Sequence, residues 1–245
     1  MTVQSSRLDQ ALVSRGLIET RSAAQAAIKS GNVKVNGKAV SKSAFKVSES
    51  DIIEAKAAHP YVSRAALKLK KALDHFGVNP SGKTCLDIGS STGGFSQLLS
   101  LRGASKIYAV DVGTDQLHPS LRDIPEIISL EQQDARTLTA AIIPDAIDLL
   151  VTDASFISLT KVLPVPLKFL RRSGEAILLI KPQFELGPDA LNKKGVVKDV
   201  ERAEDAPRLI SAWMVDYGFT VKGQIKSPIP GGSGNSEFLI YAVKA

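Results

Sequence analysis

Two amines and two carboxylates at the ends of apolar runs are the side chains in this sequence best placed to do chemistry. Asp153 follows the run 147–152, Lys181 follows 175–180 and Glu237 opens the run ending at 243, while Lys68 lies in a helical stretch ahead of the first strand. In a parallel sheet the carboxyl ends of the strands border the crevice where ligands bind, so these four groups are expected to converge there. Such a set can help remove a proton from a weak acid and stabilise the charge left behind. Taken singly, Lys181 before Pro182 reads as a strand terminator and Glu237 as a charge guarding a sheet edge. The conjunction is what points to a site.

The chain is organised around a second stretch, Cys85-Leu86-Asp87-Ile88-Gly89-Ser90-Ser91-Thr92-Gly93-Gly94-Phe95. It reads as a strand over 84–88, a turn with three glycines in six positions, and a helix over 95–101. Glycines there let the backbone come close to a ligand, and the open N–H groups of a helix start favour polar or anionic groups. The next strand, 106–110, ends in Asp111, where a ribose-binding carboxylate sits when a nucleoside lies across the strand ends. The spacing is neither Gly-x-Gly-x-x-Gly nor the Lys-Ser/Thr phosphate loop, which disfavours dinucleotides and triphosphates. Asp87, Gly89, Gly93 and Asp111 together resemble the S-adenosyl-L-methionine site of Rossmann-like methyltransferases.

The elements that must position these residues alternate. Further strands are expected at 127–130, 147–153, 175–182, 219–225 and 237–243, with helices at 61–73, 160–170 and 201–217 and a polar loop over 187–200. Pro164 and Pro166 should distort or delay the start of the 160–170 helix. Strands alternating with helices predict an α/β fold, a parallel sheet covered on both faces and closed by an antiparallel hairpin. Asp134, in the loop after the third strand, falls where such folds place a side chain against adenine. Cys85 is the single cysteine, which excludes an intrachain disulfide and a cysteine-rich metal site and reads as a small buried hydrophobe. His59, His75 and His118 lack metal-ligand spacing, so no metal is expected. There is no apolar run of about eighteen residues and no signal-peptide start, so a soluble, cytoplasmic protein without a membrane partner is expected.

The charge is unevenly placed. Residues 1–80 hold 13 Lys and Arg against 6 Asp and Glu, whereas 81–245 hold 18 against 19. A basic module joined to a near-neutral domain suits a polyanionic partner, because basic side chains displace the counterions condensed on phosphates. Within 7–54, helices are expected at 7–13 and 23–30, then a hairpin around Asn36-Gly37 and a short strand from Asp51. Arg7, Arg15, Arg21 and Lys29 lie in or beside the helices, and Lys34 and Lys38 flank the hairpin. No aromatic residue precedes Phe45, so recognition of phosphates and RNA shape is favoured over base stacking.

Arg-Leu-Asp, Arg-Gly-Leu, Thr-Arg-Ser-x-Ala and Ile-x-x-Gly-x-Val-x-Val-Asn-Gly in this segment closely resemble the S4 domain, a small α+β RNA-binding domain. Asp87-Ile-Gly-Ser-Ser-Thr-Gly-Gly-Phe95, Asp153-Ala-Ser-Phe-Ile-Ser-Leu159, Ile180-Lys-Pro-Gln-Phe-Glu185 and Gly234-Asn-Ser-Glu-Phe-Leu239 resemble the TlyA family, rRNA ribose methyltransferases of the RrmJ/FtsJ type with an N-terminal S4 domain. The resemblance spans essentially the whole chain. It implies an S4-like domain over 1–54, a linker over 55–60 and a Rossmann-like methyltransferase domain over 61–245. It places the family's Lys-Asp-Lys-Glu tetrad on Lys68, Asp153, Lys181 and Glu237. It sets the cofactor, S-adenosyl-L-methionine, against Asp87, Gly89, Ser90, Ser91, Gly93, Gly94, Phe95, Asp111, Val112, Asp134 and Asp153, and adds Arg64 to the residues expected to meet RNA. It also implies ribosomal RNA or ribosomal subunits as partner and a cytidine 2′-hydroxyl in small- or large-subunit rRNA as acceptor. In that chemistry the enzyme must hold oxygen, methyl carbon and sulfur in line and help remove one proton. Lys181, its pKa lowered by burial and a neighbouring ammonium, is expected to act as base or as the positive group beside the developing alkoxide. Asp153 would orient it, with Lys68 and Glu237 fixing the hydroxyl. Two other readings compete: a non-catalytic RNA-binding or ribosome-assembly factor, and a haemolysin, a label used in this family, for which the sequence has no membrane-spanning or strongly amphipathic segment.

Overall fold

The structure is a computed structural model that describes residues 5–245; residues 1–4, the start of the expected N-terminal domain, lie outside the described residues. Its chain divides into two compact units, Met1–Pro60 and Tyr61–Ala245.

In the first unit, α1 (Leu8–Ser14) and α2 (Arg21–Lys29) pack on short strands. Thr20 starts α2 by accepting the Ala23 N–H, which satisfies one of the open donors of a helix start. Val33–Val35 is the middle strand of three, paired antiparallel with Lys38–Ala39 and with Ile53–Ala55, and Ser6–Arg7 pairs with Lys46–Val47. Asn36 (φ 50°) and Gly37 (φ 75°) make the tight turn that Asn-Gly favours. Leu8, Leu12, Ile28, Val33 and Val47 form the core. Ala55, expected to open the linker, instead pairs with Val33 in the sheet, and the Lys56 N–H bonds the Asn32 carbonyl.

The second unit carries a seven-stranded sheet: β1 (Thr84–Ile88), β2 (Lys106–Val110), β3 (Ile127–Leu130), β4 (Ile147–Thr152), β5 (Leu170–Ile180), β6 (Phe219–Lys226) and β7 (Phe238–Lys244). Their spatial order is β6-β7-β5-β4-β1-β2-β3. β3, β2, β1, β4 and β5 are parallel, and β7 runs against both its neighbours. This is the expected α/β, Rossmann-like architecture.

Side chains alternate across a strand, so residue parity decides the face. Cys85, Ile107, Leu149, Val151, Ile177, Leu179 and Leu239 pack under α3 (Ala65–Phe76) and α4 (Gly94–Leu101), through Leu69, Leu73, Phe95 and Leu98. Leu86, Ile88, Leu150, Leu178, Ile180 and Ile240 face the other way, against Leu163 and against Ile210 and Met214 of α5 (Asp205–Asp216). Each face is a continuous apolar layer. Cys85 is fully buried in the first, and burial pushes its thiol pKa up to about 12.

The region 160–170 differs from the expected helix. Only Leu159–Val162 is α-helical; a 3₁₀ turn follows at Pro166–Phe169, and β5 already begins at Leu170. Proline has no N–H to donate and its ring crowds the preceding turn, so Pro164 and Pro166 end the helix rather than delay it. The early part of β5 slips register between Leu170 and Glu175, with Ser173 at φ 59°.

Candidate active site

Asp153 and Lys181 lie two residues beyond Val151 and Leu179, and Glu237 two before Leu239, so parity carries all three onto the face covered by α3. Lys68, from the start of α3, meets them there. They form two ion pairs: Lys68 Nζ to Glu237 Oε2 at 2.5 Å, and Lys181 Nζ to Asp153 Oδ1 at 2.6 Å. Lys68, Lys181 and Glu237 are buried, at 5%, 8% and 3% exposure, a level that charged side chains reach only when paired. Lys181 Nζ also donates to the Asp153 carbonyl (3.0 Å) and to Ser155 Oγ (2.5 Å). The pairs are close, but their directions are not those of hydrogen bonds. Asp153 Oδ1 and Glu237 Oε2 therefore have no hydrogen-bond donor among the described residues.

The approach to β7 is built to hold Glu237. Asn235, buried, accepts the Val197 N–H at 2.9 Å and donates to the Gly195 carbonyl at 3.1 Å. The Gly231 N–H bonds the Asn235 carbonyl, and a Cβ at Gly231 would stand 2.5 Å from Glu237 Oε1. Any side chain there would push that carboxylate aside.

Beside the tetrad the glycine-rich loop walls two adjoining cavities, of about 450 Å³ and 130 Å³. Gly89, Ser91, Asp153 and Ser155 border both; Asp111, Val112, Asp134 and Arg136 line the larger, and Ser90, Gly94, Phe95 and Lys181 the smaller. Gly89 sits at φ 78°, and a Cβ there would lie 2.9 Å from Ala154 Cα, so the loop lies against the segment that follows β4. Ser91, at φ 46°, donates its N–H to Asp111 Oδ2 at 2.8 Å, and Gly113 N–H bonds Oδ1 at 2.8 Å. Asp111 thus fastens the loop while facing the larger cavity. α4 starts at Gly94 without a side-chain cap, leaving its first N–H groups toward the smaller cavity.

Three expected cofactor residues are placed differently from the rest. Gly93 lines neither cavity and packs against Leu117 and Leu121. Asp87 lies beneath the loop rather than in either wall: fully buried, it takes the Ser96 hydroxyl at 2.7 Å on Oδ2 and leaves Oδ1 without a donor among the described residues. Burial pushes its pKa up to about 7, with the Ser96 hydrogen bond opposing and the charge of Asp153 adding. Asp134 lines the cavity, but its carboxylate is gripped by the Arg136 guanidinium at 2.6 and 3.0 Å and held below the usual carboxylate range.

Of the residues expected to meet RNA, Lys29, Lys34 and Lys38 are exposed in the first unit. Arg15 ties down a turn through the carbonyls of Asp51 (2.7 Å) and Ser48 (2.6 Å). Arg64 belongs to the second unit, exposed at the head of α3.

Residues 61–244 match the FtsJ-like methyltransferase family, and residues 6–53 match the S4 domain. The chain belongs to the FtsJ-like methyltransferase family. It is 38% identical, over 96% of its length and 88% of the relative's, to the 16S/23S rRNA (cytidine-2′-O)-methyltransferase TlyA of Mycobacterium tuberculosis. It is 40% identical, over 97% of its length and 99% of the relative's, to Hemolysin A of Brachyspira hyodysenteriae. A solved protein of Streptococcus thermophilus, provisionally labelled a hemolysin, superposes with a TM-score of 0.77 at 37% identity, covering 100% of this chain and 90% of that one. Among the described residues no helix is long and apolar enough to cross a membrane.

As a family member the chain uses S-adenosyl-L-methionine, and the crevice fits a cationic cofactor. Asp111, Asp134 and Asp153 line it, the Asp87 oxygen beneath the loop has no donor, and the Gly89 cradle leaves the backbone bare. Sequence reasoning missed Ser155, which borders both cavities and holds Lys181, although it stands two residues after Asp153 in a motif already singled out. It also missed Arg136 and Asn235, which act through Asp134 and through the approach to Glu237.

Proposed function

We propose that the chain transfers a methyl group from S-adenosyl-L-methionine to a ribose 2′-hydroxyl of ribosomal RNA, a cytidine in the small subunit, the large subunit or both, in the cytoplasm where ribosomes are made. The observation that carries this reading is the pairing of Lys68 with Glu237 and of Lys181 with Asp153 on one face of the sheet, with Asp153 bordering both cavities and Lys181 the smaller one. The relative named as a cytidine-2′-O-methyltransferase supports the choice of acceptor.

The bound cofactor supplies an electrophilic methyl group on a sulfonium, so the leaving group needs no activation. The protein's tasks are alignment and one proton. Asp111 and Asp134, which line the larger cavity, would hold the cofactor's nucleoside end, and the N–H groups at the start of α4 would hold its carboxylate. Lys181 presents a charge, fixed by Asp153 and Ser155, to the oxygen that develops negative character. Asp153 Oδ1, on the wall of both cavities, accepts the one hydroxyl proton, and Lys68 keeps Glu237 in place. The exposed basic side chains of the S4 domain bring the RNA.

The test is transfer of labelled methyl from the cofactor to unmodified rRNA and to ribosomal subunits, with Lys181→Ala as control. Label on a ribose, absent with the variant, supports the reading. Transfer by Lys181→Ala at near the unaltered rate refutes the role of Lys181; cofactor binding with no label on any RNA refutes the acceptor.

A further inference from the structure

Asp9 is fully buried in the first turn of α1, among Leu8, Leu12 and Ile28. A carboxylate is taken out of water there only with full compensation. Arg7 donates through Nε to Oδ1 (2.9 Å) and through Nη2 to Oδ2 (3.1 Å). Arg21 Nε reaches Oδ2 at 3.0 Å and Gln25 Nε2 at 2.8 Å. The Arg7 hydrogen bonds above all, then those of Gln25 and Arg21, outweigh the burial and hold this carboxyl far below the usual range.

The cations that satisfy Asp9 are not themselves buried. The side chains of Arg7 and Arg21 remain 35% and 56% exposed. Among the described residues Arg21 bonds only through Nε, leaving both its terminal amino groups open, and Arg7 leaves Nη1 open. Both guanidiniums touch the same Asp9 oxygen, so they stand side by side, gripped from behind. Arg15 is held the opposite way, with its terminal nitrogens closed on the carbonyls of Ser48 and Asp51. A planar guanidinium with a free edge matches a phosphate in two places at once.

We propose that Asp9 is a positioning residue for RNA binding: it fixes Arg7 and Arg21 as a paired, pre-set clamp for the phosphates of a structured RNA. The proposal rests on the reading of the first unit as the RNA-binding part. A free arginine loses rotamer freedom on binding, and a pre-set one has lost it already. Simple charge counting gives the opposite expectation. Asp9 lowers the positive charge of this face, so neutralising it should tighten RNA binding; if Asp9 positions the arginines, neutralising it weakens binding instead.

The test is the affinity of the full chain for unmodified 16S and 23S rRNA transcripts, assayed separately over a range of salt. Asp9→Asn is expected to weaken binding about tenfold and to flatten the slope of log K against log salt by about one phosphate contact. Arg21→Ala is expected to weaken binding less in the Asp9→Asn background than in the unaltered chain, as coupled groups do. Arg21→Lys leaves Asp9 with Arg7 and keeps the charge, so it carries the test if Asp9→Asn fails to fold; it too should bind several-fold more weakly. Unchanged or tighter binding by folded Asp9→Asn, or full affinity of Arg21→Lys, overturns the proposal alone. Failure of the unaltered chain to bind either transcript overturns the RNA-binding reading and the proposal together.

Discussion

In the first unit the Asp9 carboxylate receives hydrogen bonds from Arg7, Arg21 and Gln25, whereas in the second Asp153 Oδ1 and Glu237 Oε2 have an ammonium beside them and, among the described residues, no hydrogen bond. The cations differ as well: those around Asp9 are partly open to solvent, while Lys68 and Lys181 are buried, Lys68 beside a buried acid and Lys181 beside a partly buried one. A saturated carboxylate beneath exposed cations is a frame. An unsaturated one beside a buried cation has room for a further partner, and under the proposed function that partner is the reacting hydroxyl.

The sharpest way to break this contrast is to empty the second site. Lys181→Ala should lower single-turnover methyl transfer about 10³-fold, the range for loss of a positioned acid–base or charge-stabilising group, with cofactor affinity by calorimetry within a few-fold of the unaltered chain. Equal losses of binding and turnover would make Lys181 part of the cofactor's wall only.

Next in size is the other pair. Lys68→Met leaves Glu237 buried without its cation and should cost about 3–5 kcal/mol in denaturant unfolding. Adding Glu237→Leu should recover most of that stability while turnover stays lost. Recovery of turnover by the double variant would show the pair to be scaffold, like Asp9.

Gly89→Ala tests the cradle between the two cavities. A side chain at φ 78°, with Cβ 2.9 Å from Ala154 Cα, forces the loop to shift. Cofactor affinity is expected to drop about tenfold, within the usual cost of such strain, and unaltered affinity by calorimetry would count against the loop as the cofactor's seat.

The last test varies pH and belongs to Asp87. Its folded pKa is raised from 3.8 to about 7, so between those values the unfolded chain is ionised while the folded one keeps its proton, and stability falls as pH rises through that window. Asp87→Asn should remove this slope, so the variant gains on the unaltered chain in urea midpoint as pH rises from 3.8 to about 7. A difference that stays constant with pH would show Asp87 ionised throughout.

Much of the site was legible because period-two alternation is a property of the sequence. Once 147–152, 176–180 and 238–243 are strands, Asp153, Lys181 and Glu237 fall on the same face. Lys68 was legible as a lysine on a helix before the first strand, but its pairing with Glu237 was not, since nothing local marks which turn of α3 lies over β7. The depth of Asp87 was not legible: an acid at a strand end reads the same whether its side chain points into the crevice or beneath the loop. The helix over 160–170 failed for a local reason, two prolines two residues apart, while the early start of β5 depends on pairing of Leu170 with Ile147, a contact between distant parts of the chain.

The reversed strand β7 has a consequence for how the protein comes into being. β6 is hydrogen-bonded in the sheet only to β7, and β7 inserts between it and β5. During synthesis, the glycine loop, Asp111, Asp153 and Lys181 all emerge well before Glu237, so a nascent chain has every residue that lines the two cavities before the strand that brings Glu237 to Lys68. The insertion that finishes the sheet is also the event that completes the second ion pair.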